Sequence, residues 1–86
     1  MEGRFQVRDG FLNLASKNLD RLQGDDLESV RGGTIHLNLS HNNLTALEFL
    51  SGFHNLKSLV LDYNTLSSMT SMPVLRNLET LSLVSN

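Results

Sequence analysis

His36, His41 and His54 are the residues whose type best suits metal ligation or proton transfer. His36 and His41 stand five positions apart and can share one face, but no carboxylate or cysteine completes a ligand set by spacing, and His54 lies in a different segment. Ser40 and His41 are neighbours in sequence, so along an extended chain their side chains diverge and do not converge as nucleophile and base. Asp62 can approach His41 only across a sheet, and a lone Asp–His pair is more often structural than catalytic. "RGG" at 31–33 lacks the lysine pattern of a phosphate loop. The sequence therefore implies no enzyme, no metal and no cofactor.

Asn38 and Asn43 open the triplets N-L-S and N-L-T, which in a secreted protein would be glycosylation acceptors. Their placement has a simpler source. Both sit in a pattern that repeatedly sets asparagine before leucine.

That pattern is a repeat. "LNLSHNNL" at 37–44 realigns with "LVLDYNTL" at 59–66 and with "LSLVSN" at 81–86, each time at an offset of 22 residues. The columns Leu37/Leu59/Leu81, Leu39/Leu61/Leu83 and Asn42/Asn64/Asn86 all keep that period. "LNLASKNL" at 12–19 is a fourth, degenerate copy at an offset of 25, with Lys17 in the asparagine column. The two leucines of each LxL share one face of a short strand, and their neighbours face the other way. The asparagine follows where the chain turns, and its amide has donors and an acceptor for backbone groups that a turn leaves unpaired. Asn42, Asn64 and Asn86 are accordingly expected to form a stacked, buried ladder.

Between strands, Leu44, Leu47, Leu50, Phe53, Leu56 and Leu59 recur at every third residue, as do Leu66, Met69, Met72, Leu75, Leu78 and Leu81. Steps of three residues advance about 300° in an α-helix, which sweeps such a stripe around the axis. A 3₁₀ helix, at about 3.0 residues per turn, keeps it on one side. The return segments should therefore be short 3₁₀ turns or irregular backbone. Pro73 lies in one of them, where no sheet donor is lost.

The pattern LxxLxLxxNxL over residues 9–86 resembles the leucine-rich repeat superfamily, read here as "TIHLNLSHNNL", "LKSLVLDYNTL" and "LETLSLVSN". The first of these departs at its opening column, where Thr34 stands for leucine. The period is similar to that of the short intracellular 22-residue subclass, which includes a regulatory subunit of protein phosphatase-1 and the A-prime subunit of a spliceosomal ribonucleoprotein. The resemblance implies an α/β solenoid with short parallel strands on the concave face and 3₁₀ or irregular segments on the convex face. Residues 1–33 would be the N-terminal cap with the degenerate first repeat, 34–55 and 56–77 full repeats, and 78–86 a partial one.

At 86 residues the chain holds one domain at most, and 18 positions are leucine. "GDDLESV" can start a short helix capped by Asp25 or Asp26 and ended by Gly32 and Gly33, or can be a charged surface loop. The chain stops at Asn86 after the apolar pair Leu81 and Leu83, where a repeat array needs a polar cap; the expectation is a fragment, truncated isoform or incomplete gene product. No apolar run reaches the roughly 18 residues of a membrane span, and "MEGRFQVRDG" has no apolar signal core. The absence of cysteine excludes disulfides and favours a reducing, intracellular location, cytoplasmic or nuclear. Residues 1–31 hold 5 of the 7 Lys/Arg and 6 of the 9 Asp/Glu, so Lys57 and Arg76 are the only cations beyond them, too few for direct nucleic-acid binding.

The residues free to act lie between the core leucines: His36, Ser58 and Thr80; Asn38, Val60 and Ser82; Ser40, Asp62 and Val84; His41, Tyr63 and Ser85. Phe11, Asn13, Ala15 and Ser16 extend these columns into the first copy. The resemblance implies that this face binds a protein partner in an adaptor or regulatory-subunit role, through His36, Asn38, His41, Ser58, Val60, Asp62, Tyr63 and Ser82, with Tyr63 the best anchor by type. The alternatives are solvated strand positions without a partner, an extracellular recognition domain, or a truncated product with no function of its own.

Overall fold

The computed structural model describes residues 5–20, 22, 27–67 and 71–86. Asp25, Asp26 and Met69 lie outside the described residues, so the helix-capping assignment and one position of the second apolar stripe have no structural counterpart to compare. Four strands, β1 (Phe11–Asn13), β2 (His36–Asn38), β3 (Ser58–Val60) and β4 (Thr80–Ser82), form one sheet in the order β1-β2-β3-β4. Every pairing is parallel, and the register sets Leu12, Leu37, Leu59 and Leu81 side by side. The 22-residue period thus appears as strand register, with the longer first interval absorbed before β2.

Each strand is three residues long because the alternation that drives it spans only one LxL. The central leucines of β1, β2 and β3 are buried, as are Leu14, Leu39 and Leu61 two positions on. Leu44, Leu47, Leu50, Phe53 and Leu56 from the first return segment close the other side of this core. That segment carries a 3₁₀ helix at Glu48–Leu50, and the described part of the second is irregular, with Met72, Leu75 and Leu78 packed against the core. Among the described residues of both segments the three-residue apolar period is satisfied without an α-helix.

Three details lie outside what the repeat pattern indicates. Thr34, in the leucine column, is fully buried, and its hydroxyl donates to the Val30 carbonyl at 2.7 Å. This closes a helical turn in which the amides of Val30 and Arg31 both donate to the Leu27 carbonyl. Gly32 and Gly33 lie in the following turn, but neither has positive φ; the left-handed glycines are Gly10 (φ 83°) and Gly52 (φ 97°). A second asparagine column also keeps the 22-residue period: the Asn55 amide donates to the Gly32 carbonyl at 2.8 Å and that of Asn77 to the His54 carbonyl at 2.7 Å. Both pin the turn before a strand to the preceding repeat.

β4 differs from the rest. It is one of two edge strands among the described residues, but Leu81 and Leu83 are 43% and 45% exposed, whereas Leu12 and Leu14 at the β1 edge are buried. With Leu47, Leu66, Met72 and Asn86 they line a depression of about 460 Å³.

Thr34→Val keeps shape but leaves the buried Val30 carbonyl without its donor. It should lower unfolding free energy by about 1–3 kcal/mol, read from the urea midpoint at unchanged slope.

Candidate functional site

The sheet has one face on the leucine core and one face open. His36, Ser58 and Thr80 align with Phe11 across the open face, and Asn38, Val60 and Ser82 align with Asn13. Phe11 is 59% exposed and its ring stacks on His36, with centroids 4.4 Å apart and planes at 22°. The rings, with Asn13, Asn38, Ser58 and Val60, line a shallow depression of about 260 Å³. Phe11 heads this column although the sequence reading gave it no role of its own. Its 25-residue offset from His36 was the available signal.

Ser40, His41, Asp62 and Tyr63 lie beyond the strand ends, where β2 and β3 have already stopped at Asn38 and Val60. Here the backbone does something that the sequence does not advertise. Ser16, His41, Tyr63 and Ser85 all adopt left-handed backbone, with φ between 57° and 59°. In each coil this residue comes immediately before the ladder column; after His41 and Tyr63 the next side chain, Asn42 or Asn64, is buried, whereas Lys17 after Ser16 and Asn86 after Ser85 are exposed. Three of the four share one bond to the next coil: Ser16 N–H donates to Ser40 O at 3.0 Å, His41 N–H to Asp62 O at 2.9 Å, and Tyr63 N–H to Val84 O at 2.8 Å.

The rings of His41 and Tyr63 stack at 4.5 Å with planes 13° apart. That separation is close to the ~4.8 Å between adjacent strands, so the backbone spacing itself sets ring on ring. Asp62 does not engage the His41 imidazole. Its Oδ1 accepts the Ser82 hydroxyl at 2.6 Å and the Val84 amide at 2.9 Å, tying β3's exit to the next repeat. Asn38 Oδ1 likewise accepts both the amide and the hydroxyl of Ser40, at 3.0 and 2.8 Å. The serine is therefore held by Asn38 and not by His41. Asn43, the other sequon position, is exposed and donates to Asn18 Oδ1 at 3.1 Å.

Beneath these residues runs the asparagine column. Asn42 is buried; its Oδ1 accepts the amides of Lys17 and Leu19, and its Nδ2 donates to the carbonyls of Leu14 and Leu39, both at 3.0 Å. Asn64 is also buried, accepting the Leu44 amide at 3.0 Å and donating to the carbonyls of Leu39 and Leu61, both at 2.9 Å. Asn86 repeats the geometry, with Leu66 N–H donating at 3.2 Å and Leu61 O accepting at 2.8 Å. It is exposed, not buried, since no described strand pairs with β4 on its far side. The Lys17 position contributes its backbone amide to this network, while its side chain stays outside.

Residues 35–73 match the family described as leucine rich repeats (2 copies). The match spans the two copies between Ile35 and Pro73, and supports the superfamily for this chain. No curated protein and no solved structure matches the chain. Leucine-rich repeats generally mediate protein–protein interaction and are generally not enzymes. Among the described residues no group of histidine and carboxylate side chains is placed to hold a metal, and no helix is long and apolar enough to cross a membrane.

The ladder predicts a graded result. Asn64→Leu orphans the buried Leu44 amide and takes one of two donors from each of the Leu39 and Leu61 carbonyls, which keep Asn42 and Asn86, and should cost roughly 2–3 kcal/mol. Asn86→Leu, at an exposed position, should cost about 1 kcal/mol or less. Chemical denaturation of the two variants distinguishes them.

Proposed function

We propose that the chain is a non-enzymatic protein-interaction module that buries a segment of a partner protein against the open face of its sheet. The supporting observation is Tyr63. A bulky side chain at φ 59° is disfavoured by about 1–2 kcal/mol relative to glycine, and asparagine also tolerates this region. A tyrosine held there with 48% of its surface exposed is a strained residue presenting a ring to solvent. Such a ring is rigid, amphipathic and already ordered, so contact with a partner costs little further entropy.

The rest of the face fits this reading. His36, Asn38, Ser58, Val60 and Ser82 are half-buried, short of reach and held by strand pairing, while His41 and Asp62 flank Tyr63. No lysine or arginine occupies the strand columns, which disfavours a phosphate backbone as the ligand. An adaptor or regulatory-subunit role, a place in the short intracellular subclass beside the phosphatase-1 and spliceosomal types, and a cytoplasmic or nuclear setting belong to the same proposal. In that setting the repeats form a solenoid whose open face is concave. The lack of cysteine favours it over an extracellular receptor domain.

Tyr63→Asn relieves the backbone while losing the stack on His41, two effects of about 1 kcal/mol and opposite sign. Stability should therefore change by less than about 1 kcal/mol, while affinity for the partner protein falls about tenfold or more. Val74→Ala, at an 84% exposed position of the return segment, should leave affinity unchanged. Calorimetric titration of both variants reads this directly. Unchanged affinity for Tyr63→Asn would place the partner on another surface.

A further inference from the structure

The column Ser16, His41, Tyr63, Ser85 is one-sided. Two planar side chains stack in its middle, and the next position, Ser85, repeats the backbone conformation of Tyr63 (φ 58° against 59°) but carries no ring. Tyr63 and Ser85 are both exposed. The stack therefore has an open end one strand spacing beyond Tyr63. The adjacent column places Asp62 beside this opening, and it is the only carboxylate in the four open-face columns. Its Oδ1 is committed to Ser82 and Val84, no described bond engages Oδ2, and the residue is half-buried.

We infer that this open end takes the guanidinium of an arginine on the partner protein, stacked on the Tyr63 ring and paired with Asp62. The inference rests on the open sheet face being the interaction surface. A guanidinium is planar and cationic, and stacks on aromatic rings while donating to a carboxylate. It thus supplies what this position lacks: one more flat group at the spacing of the column, with a charge opposite to that of Asp62. A lysine ammonium meets the charge requirement but has no plane to extend the stack. A neutral aromatic side chain meets the stacking requirement and leaves Asp62 unpaired. Competing charges lie elsewhere: Lys57 and Glu79 precede β3 and β4 at the opposite strand ends, and Lys17 is on the first coil, beyond His41 from this opening.

Tyr63 is the sole tyrosine, so its ring resonances report on the site without ambiguity. The chain is titrated with N-acetyl-arginine amide and, separately, with the citrulline analogue, which keeps the planar shape but not the charge. The arginine amide should shift the Tyr63 ring and Ser85 amide signals saturably, with at least about threefold higher affinity than citrulline amide. Asp62→Asn retains an Oδ1 acceptor for Ser82 and Val84 and should remove that preference. Ser85→Tyr fills the open end with a ring of the protein's own, in a column that already accepts one at Tyr63, and should abolish the shift while Asp62 remains. Equal affinity for the two amides, no Tyr63 shift in the folded chain, or an undiminished shift in Ser85→Tyr would each overturn the inference. None of these outcomes touches the effect of Tyr63→Asn on binding a partner protein, so the broader reading stands or falls separately.

Discussion

A side-chain amide buried at the same point of successive repeats holds the molecule in register. Asn42 and Asn64 each accept backbone N–H groups from the preceding coil and donate to carbonyls of both coils, so one side chain satisfies polar groups that belong to two turns of chain. Without these bonds the backbone between a strand and its return segment would be buried and unpaired, which the leucine core alone cannot offset. The core supplies the driving force for stacking; the asparagines decide where each coil sits. The sheet register, the left-handed residue before each asparagine and the spacing of the rings on the open face all follow from that placement.

The open face inherits its geometry from this arrangement. Strand separation puts His36 against Phe11 and Tyr63 against His41 at 4.4 and 4.5 Å, close to the separation of the backbones beneath. Asp62 and Asn38 lock the exits of β3 and β2 through serine hydroxyls and backbone amides. What is presented outward is thus a fixed surface of rings, hydroxyls and one carboxylate on a backbone whose polar groups are satisfied. Recognition by such a surface needs little rearrangement.

Much of this was legible in the sequence because a repeat reports its own register. The 22-residue offset aligned Leu37, Leu59 and Leu81 before any coordinates did, and the step of three between Leu44 and Phe53 pointed to 3₁₀ geometry, found at Glu48–Leu50. The left-handed backbone at His41 and Tyr63 was hidden, because the residues that ordinarily mark it are glycine and asparagine. Thr34 looked like a defect in a leucine column; its role depends on the Val30 carbonyl, which only the folded turn brings near. The partners of Asp62 were also unreadable, since Ser82 and Val84 compete with His41 for the same carboxylate and spacing does not rank them. Asn86 was readable as a ladder position, but its exposure depends on what lies beside β4.

Native-state hydrogen exchange of the Leu44 and Leu19 amides tests the central claim most directly, because each donates to an asparagine side chain of the next coil. If the ladder holds the register, both amides exchange with the opening free energy of the Leu39 and Leu61 amides, which bond from strand to strand. Exchange of Leu44 and Leu19 at the rate of exposed turn amides, with Leu39 and Leu61 still protected, would contradict it. The coils would then be held by the leucine core alone.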